Sequence, residues 1–256
     1  MSLEVKIKYT HFSAELRNIQ KEFVAMLVDF MKISAVDYPK KIAATCFFGG
    51  CNFSCPFCYN SRLVNFKGDF MDDSIFFEYL DKRKGIVDAV CITGGEPTLN
   101  EEYLTEFIKK IKQRNLLVKL DTNGSRPEVL RRLLEDDLLD YVAMDLKAPL
   151  EKYPELTGFK DIQKIEESVQ ILMGSRIDYE FRTTVNKNLH TVEDILEIAR
   201  WVKNAKLYII KPYKYTPDVL DSQICGTEDL EMEYLQQIYN RARSEGIENI
   251  KIGGGM

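Results

Sequence analysis

Gly49-Gly50-Cys51-Asn52-Phe53-Ser54-Cys55-Pro56-Phe57-Cys58-Tyr59-Asn60 places three thiols in one short loop after an apolar run. A closed structural zinc site takes four ligands, and a 4Fe-4S cluster ordinarily takes four thiolates. Three cysteines therefore leave one metal position without a protein donor, and an open position is where chemistry happens. A zinc knuckle is the competing reading, but the chain has no second cysteine pair. Cys91 and Cys225 are distant in sequence, and His11 and His190 show no ligand-arm spacing. Cys46 is nearer and could complete a zinc site. It sits in the apolar run Ile42-Ala43-Ala44-Thr45-Cys46-Phe47-Phe48, where a cysteine behaves as a small hydrophobe.

Upstream of this loop, Lys41–Phe48 reads as a strand, and downstream the pattern repeats. Strand-like runs are expected at 87–93, 116–120, 141–144, 179–185 and 207–211. Helical periodicity falls at 72–84, 101–114, 127–138, 161–173, 191–203 and 228–244. Alternation of this kind predicts an α/β fold with a parallel sheet. Six units are fewer than the eight of a closed barrel, so a partial (β/α)6 TIM-like barrel is expected, with the cysteine loop after its first strand. Ligands of parallel α/β folds bind beyond the carboxyl ends of the strands. The cysteine loop, Gly94-Gly95-Glu96, Asp121-Thr122-Asn123-Gly124 and Asp145-Leu146-Lys147 all follow strands and should share one mouth.

Residues 1–30 read as an N-terminal helical extension, with Leu16, Ile19, Phe23, Met26 and Leu27 on one side of a helix from Ala14 to Val28. Residues 31–256 read as the functional domain, ending in a C-terminal helix and a flexible Gly253-Gly254-Gly255.

Composition narrows the class. The chain has 256 residues, 45% hydrophobic and 29% charged, as in a globular protein rather than a disordered one. With 35 basic and 40 acidic residues its net charge is -5, which speaks against a broad nucleic-acid surface. No run approaches the roughly 18 apolar residues of a membrane span, and the chain is read as cytoplasmic. In a reducing compartment, clustered thiols point to metal rather than disulfides. Cys91 is expected in the core, Cys225 in a more exposed place, and His190 on a surface loop.

The spacing Cys51-x3-Cys55-x2-Cys58, with Phe57 before the last cysteine, resembles the radical S-adenosylmethionine superfamily. Gly94-Gly95-Glu96 is similar to that family's methionine-binding turn. Val36-Asp37-Tyr38-Pro39 and Phe181-Arg182-Thr183-Thr184-Val185 resemble the activating proteins of anaerobic ribonucleotide reductase and of pyruvate formate-lyase. The resemblance covers roughly residues 31–215. Lys40, Tyr59 and Pro212-Tyr213-Lys214 depart from those relatives, where glycine, histidine and a Pro-aromatic-His sequence are common.

The resemblance implies a 4Fe-4S cluster on Cys51, Cys55 and Cys58, with S-adenosylmethionine chelating the remaining iron. Reductive cleavage of that cofactor would give a 5'-deoxyadenosyl radical. It further implies that Gly94, Gly95, Glu96 and Asp121 border the methionyl amino group, with Asn123 beside them. Asp145 and Lys147 would address ribose and carboxylate, the backbone at Phe57 would meet adenine, and Arg182 would join the pocket. No general acid or base is expected, because the cofactor carries the chemistry. The implied partners are a glycyl radical enzyme, such as an anaerobic ribonucleotide reductase, and a ferredoxin or flavodoxin as electron donor. Radical chemistry on a peptide, RNA base or small metabolite is the first alternative. A non-catalytic zinc-binding or redox-sensing interaction module is the second.

Overall fold

The computed structural model describes residues 25–253. Eight strands form one sheet in sequence order: β1 (Leu27–Ser34), β2 (Ala43–Phe48), β3 (Ala89–Gly94), β4 (Leu117–Thr122), β5 (Tyr141–Asp145), β6 (Asp178–Val185), β7 (Tyr208–Pro212) and β8 (Ile250–Ile252). All neighbours run parallel except β1, which pairs antiparallel with β2. Among the described strands β1 and β8 do not pair, so the wall is a partial barrel. The longer helices are α1 (Asp73–Lys82), α2 (Glu101–Lys112), α3 (Pro127–Glu135), α4 (Ile162–Met173), α5 (Val192–Trp201) and α6 (Met232–Ser244).

The six strands read from sequence are β2 to β7, each within two residues of its expected bounds. The two edges were not foreseen. Leu27 and Val28, expected at the end of a helix, belong to β1, and that strand runs across the expected boundary at residues 30 and 31. The remainder of that helix, 14–24, and His11 lie outside the described residues. At the other edge the Gly253 N–H donates to the Ile210 carbonyl at 2.9 Å, so Gly253 is tied to the sheet rather than loose.

Helix ends are fixed by their own side chains. Asn100 accepts from the Tyr103 N–H at the start of α2, and Thr191 with Asp194 forms a capping box on α5.

Side chains alternate across each strand, and here the two faces differ in chemistry. Cys46, Ile92, Leu120, Val142 and Tyr179 form a cross-strand row in the core beneath the helices. The opposite, concave face carries Thr45, Cys91, Lys119, Asp121, Asp145, Glu180, Arg182 and Lys211. Its lower end is plugged by Tyr38, Ala43, Ala89 and Tyr141, packed with Leu117. Four of these five open their strands, so the plug closes the amino-terminal end and leaves the carboxyl-terminal end as the mouth.

Candidate active site

The cysteine loop is held mainly by its backbone. Gly50 and Cys51 N–H groups donate to the Leu63 and Val64 carbonyls at 2.7 and 3.2 Å. Ser54 N–H donates to the Thr157 carbonyl at 2.8 Å. The carbonyls of Pro56 and Cys58 accept from Asp221 and Leu220 at 3.0 and 2.9 Å. Phe53 and Phe57 are both 3% exposed and wall the thiols with apolar surface.

Gly94 and Gly95 dock this loop onto the end of β3. The Gly95 N–H donates to the Phe48 carbonyl and the Glu96 N–H to the Gly50 carbonyl, both at 2.8 Å. Gly94 has φ +125°, and a Cβ there would lie 2.3 Å from Phe48 backbone atoms. Gly94 is thus closed to a side chain by the end of β2, and Gly95 by the Gly50 carbonyl of the cysteine loop. Glu96 is fully buried and its carboxylate accepts from Thr98, from the Thr122 hydroxyl at 2.8 Å and from the Asn123 N–H at 2.6 Å. It ties the turn after β3 to the turn after β4. Asn123 extends the tie: its Nδ2 donates to Asn52 Oδ1, and Asn52 Nδ2 donates to Ser125 Oγ, each at 2.9 Å.

On the concave wall Arg182 donates to Asp121 from both terminal nitrogens at 3.0 Å and from Nε to Asp145 at 2.9 Å. Lys119 also pairs with Asp121, and Lys147 Nζ lies 2.9 Å from Asp145. Arg182 therefore sits in a barrel-mouth ion-pair network. Burial pushes the Asp145 carboxyl up, but Arg182 and Lys147 overturn this and hold it well below the ordinary carboxylate range. Asp121 is lowered in the same way by Arg182 and Lys119. Lys211 faces the same space, and it forms no ion pair among the described residues. Burial and then Arg182 push its ammonium down.

Burial pushes the Cys51 and Cys55 thiols up to about 12, and Cys58 upward as well. Lys147 opposes this at Cys55 and Cys58. Bound iron would offset the cost of ionising them, since a coordinating thiol is deprotonated. Among the described residues no three His, Cys, Asp or Glu side chains gather around a point as a lone ion requires. In an iron–sulfur cubane each thiolate caps a separate iron, so the need is for a lined recess rather than a shared point. Three soft donors, a lysine on one side and apolar rings around them fit such a cluster. Cys46 is fully buried in β2 opposite Phe30, part of the core rather than of this loop.

The structure brings together the cysteine loop, the glycine turn, Asp121, Asn123, Asp145, Lys147 and Arg182 at one mouth. Cys91 is buried, as expected, with its sulfur 3.7 Å from Lys119 Nζ. Two expectations are corrected. Cys225 is 3% exposed and His190 1% exposed. Each is covered by segments remote in sequence: Asn186 donates to the Cys225 carbonyl, and the His190 ring meets Phe57. Sequence reasoning also missed Asn52, Lys119, Tyr153, Glu180 and the inward aim of Lys211. Alternation in Val118-Lys119-Leu120-Asp121 was the available signal for Lys119.

The family described as the Radical SAM superfamily matches residues 45–202. The chain belongs to that superfamily. Its relatives include a Methanocaldococcus jannaschii protein named "Putative glycyl-radical enzyme activating enzyme", 35% identical over 202 residues, or 76% of this chain and 81% of the relative. A pyruvate formate-lyase-activating enzyme of Clostridium pasteurianum is 24% identical over 212 residues, covering 75% and 86%. Among solved structures, a domain of pyruvate-formate lyase-activating enzyme from Bacteroides vulgatus superposes with a TM-score of 0.52 at 17% identity, covering 65% of this chain and 99% of that one. That likeness concerns the fold. The radical SAM family implies a 4Fe-4S cluster and S-adenosylmethionine, and the three-thiol loop suits the cluster. Among the described residues no helix is long and apolar enough to cross a membrane.

Proposed function

We propose that this radical SAM enzyme is an activase that removes hydrogen from a backbone glycine of a partner glycyl radical enzyme. The observation carrying the reading is the three-thiol loop bolted beside the glycine turn and the Asp145–Lys147 pair, at the mouth of an unclosed strand wall. The names of its relatives supply the substrate class.

Cys51, Cys55 and Cys58 would hold the cluster. When bound, the cluster and S-adenosylmethionine together supply a carbon radical able to take a hydrogen atom. The chain's own residues bind and orient. Lys147, held by Asp145, would meet the methionyl carboxylate, and Asp145 the ribose. The turn Gly94-Gly95-Glu96, with Asp121 and Asn123, would border the methionyl amino group. The backbone at Phe57 would lie against adenine, its ring and Phe53 keeping water from the thiols. Arg182 would fix both aspartates in place. A reduced ferredoxin or flavodoxin would deliver the electron.

The test is anaerobic reconstitution with iron and sulfide, followed by addition of S-adenosylmethionine, reductant and a glycyl radical enzyme encoded beside this gene. Expected are 5'-deoxyadenosine and a glycine-centred paramagnetic signal on the partner. Consumption of another substrate with no such signal from any cognate candidate would overturn the activase reading. Stoichiometric zinc without turnover would return the interaction-module reading.

A further inference from the structure

Lys147 lies two residues beyond the end of β5, where the sheet ladder no longer holds the chain. Both of its peptide groups are nonetheless taken by buried side chains. Its N–H donates to Tyr153 Oη at 3.0 Å, and its carbonyl accepts from His190 Nε2 at 2.8 Å. The direction of the second bond follows from the other ring nitrogen. The Asn186 N–H donates to His190 Nδ1 at 3.1 Å, which leaves the imidazole hydrogen on Nε2.

Each of these side chains also touches the cysteine loop. Phe53, between Cys51 and Cys55, meets the Tyr153 ring edge-on at 6.3 Å between centroids. Phe57, between Cys55 and Cys58, meets the His190 ring edge-on at 5.8 Å. Lys147 Nζ itself lies 5.9 Å from the Phe57 centroid. Two arms therefore run from the spacers between thiols to the two peptide groups of one lysine. Both arms are anchored further out. The Tyr153 carbonyl accepts from Thr157 Oγ1 at 2.7 Å, and the His190 carbonyl from Tyr234 Oη at 2.9 Å.

We infer that Tyr153 and His190 are positioning residues that set the Lys147 ammonium relative to the three-thiol loop. The inference rests on the proposed role of Lys147 at the methionyl carboxylate. A lysine side chain is flexible, so its reach is set by where its main chain is pinned. Small displacements of a binding group weaken the contact it makes. Pinning both peptide groups to the loop that would carry the iron makes lysine and loop move as one body.

The experiment compares Tyr153→Phe, His190→Gln, Lys147→Met and a control, Tyr179→Phe, in the anaerobically reconstituted full chain. Tyr179 is buried at the amino-terminal end of β6, and its hydroxyl accepts from the Lys206 N–H at 3.3 Å, away from Lys147. Iron and sulfide content, thermal midpoint, the Kd for S-adenosylmethionine by equilibrium dialysis, and its effect on the reduced cluster's paramagnetic spectrum are measured. Tyr153→Phe removes one oxygen and keeps the ring against Phe53, so cluster content should stay at the wild-type level. Its Kd should rise about fivefold, the worth of one hydrogen bond. His190→Gln, which also loses the ring against Phe57, should weaken binding at least as much, and Tyr179→Phe should lose stability without changing Kd. Wild-type Kd in Tyr153→Phe beside a weakened Lys147→Met would overturn this inference alone. Wild-type Kd in Lys147→Met would overturn the parent reading as well.

Discussion

A methyl group on Gly95 would lie 2.0 Å from the Gly50 carbonyl oxygen and 3.3 Å from Cys51 Cβ. One side chain atom there forces the cysteine loop off β3. Gly95→Ala is expected to lower stability by about 3 kcal/mol, the upper range for overpacking, and to reduce iron content after reconstitution. Urea denaturation and iron analysis check this, and wild-type values in both would contradict the contact. The glycine pair was visible in the sequence, as were the thiols, because each is a residue type with narrow uses. The pair's physical reason was not, since it depends on Phe48 and Gly50 lying alongside. His190 and Tyr153 were illegible for a related cause. Asn186-Lys187-Asn188-Leu189 before the histidine reads as surface, and the residues that meet it, Phe57, Lys147 and Tyr234, are far off in the chain.

At the scale of elements, β2 to β7 were readable because short apolar runs alternate with helical periods. β1 was not. Leu27-Val28-Asp29-Phe30 continues an apolar spacing that also suits a helix, and its pairing with β2 is a long-range fact. β8 has three residues, too few for any period to register. The charged wall joining β4, β5 and β6 gives this scale its prediction. Arg182→Met leaves Lys119 and Lys147 in place but strips Asp121, Asp145 and Glu180 of their shared partner. Breaking a buried network of this kind should cost about 3 kcal/mol at neutral pH. Asp121 and Asp145 have depressed pKa values in the folded chain, so their contribution is full above the ordinary carboxylate pKa and is lost progressively as pH falls from there through the lowered folded values. Denaturation at neutral pH and at about pH 3, below the ordinary carboxylate value, should show the deficit narrowing in acid. A deficit independent of pH would contradict the assignment.

For the whole molecule, His190 gives stability a pH dependence of its own. Burial holds the ring neutral, lowering its pKa from the ordinary 6.5, while its bond to the Lys147 carbonyl pulls the other way. As pH falls through that ordinary value the unfolded chain takes up a proton that the folded chain refuses, so stability declines. Above it the term vanishes. The thermal midpoint of wild type should drop between about pH 7 and pH 5, and His190→Gln should flatten that limb. An identical slope in the variant would show that the proton goes elsewhere.

The three-thiol loop is fastened by peptide groups reaching to Leu63, Val64, Thr157, Leu220, Asp221 and Glu96, contributions that do not depend on which side chains the loop carries. Metal and architecture are thereby uncoupled, the reverse of a zinc finger, whose shape dissolves with its ion. Chelation should empty this nest and leave it standing, ready to be refilled. Among the residues separating the thiols, identity matters at Asn52, which bonds Asn123 and Ser125, and at the rings that face Tyr153 and His190.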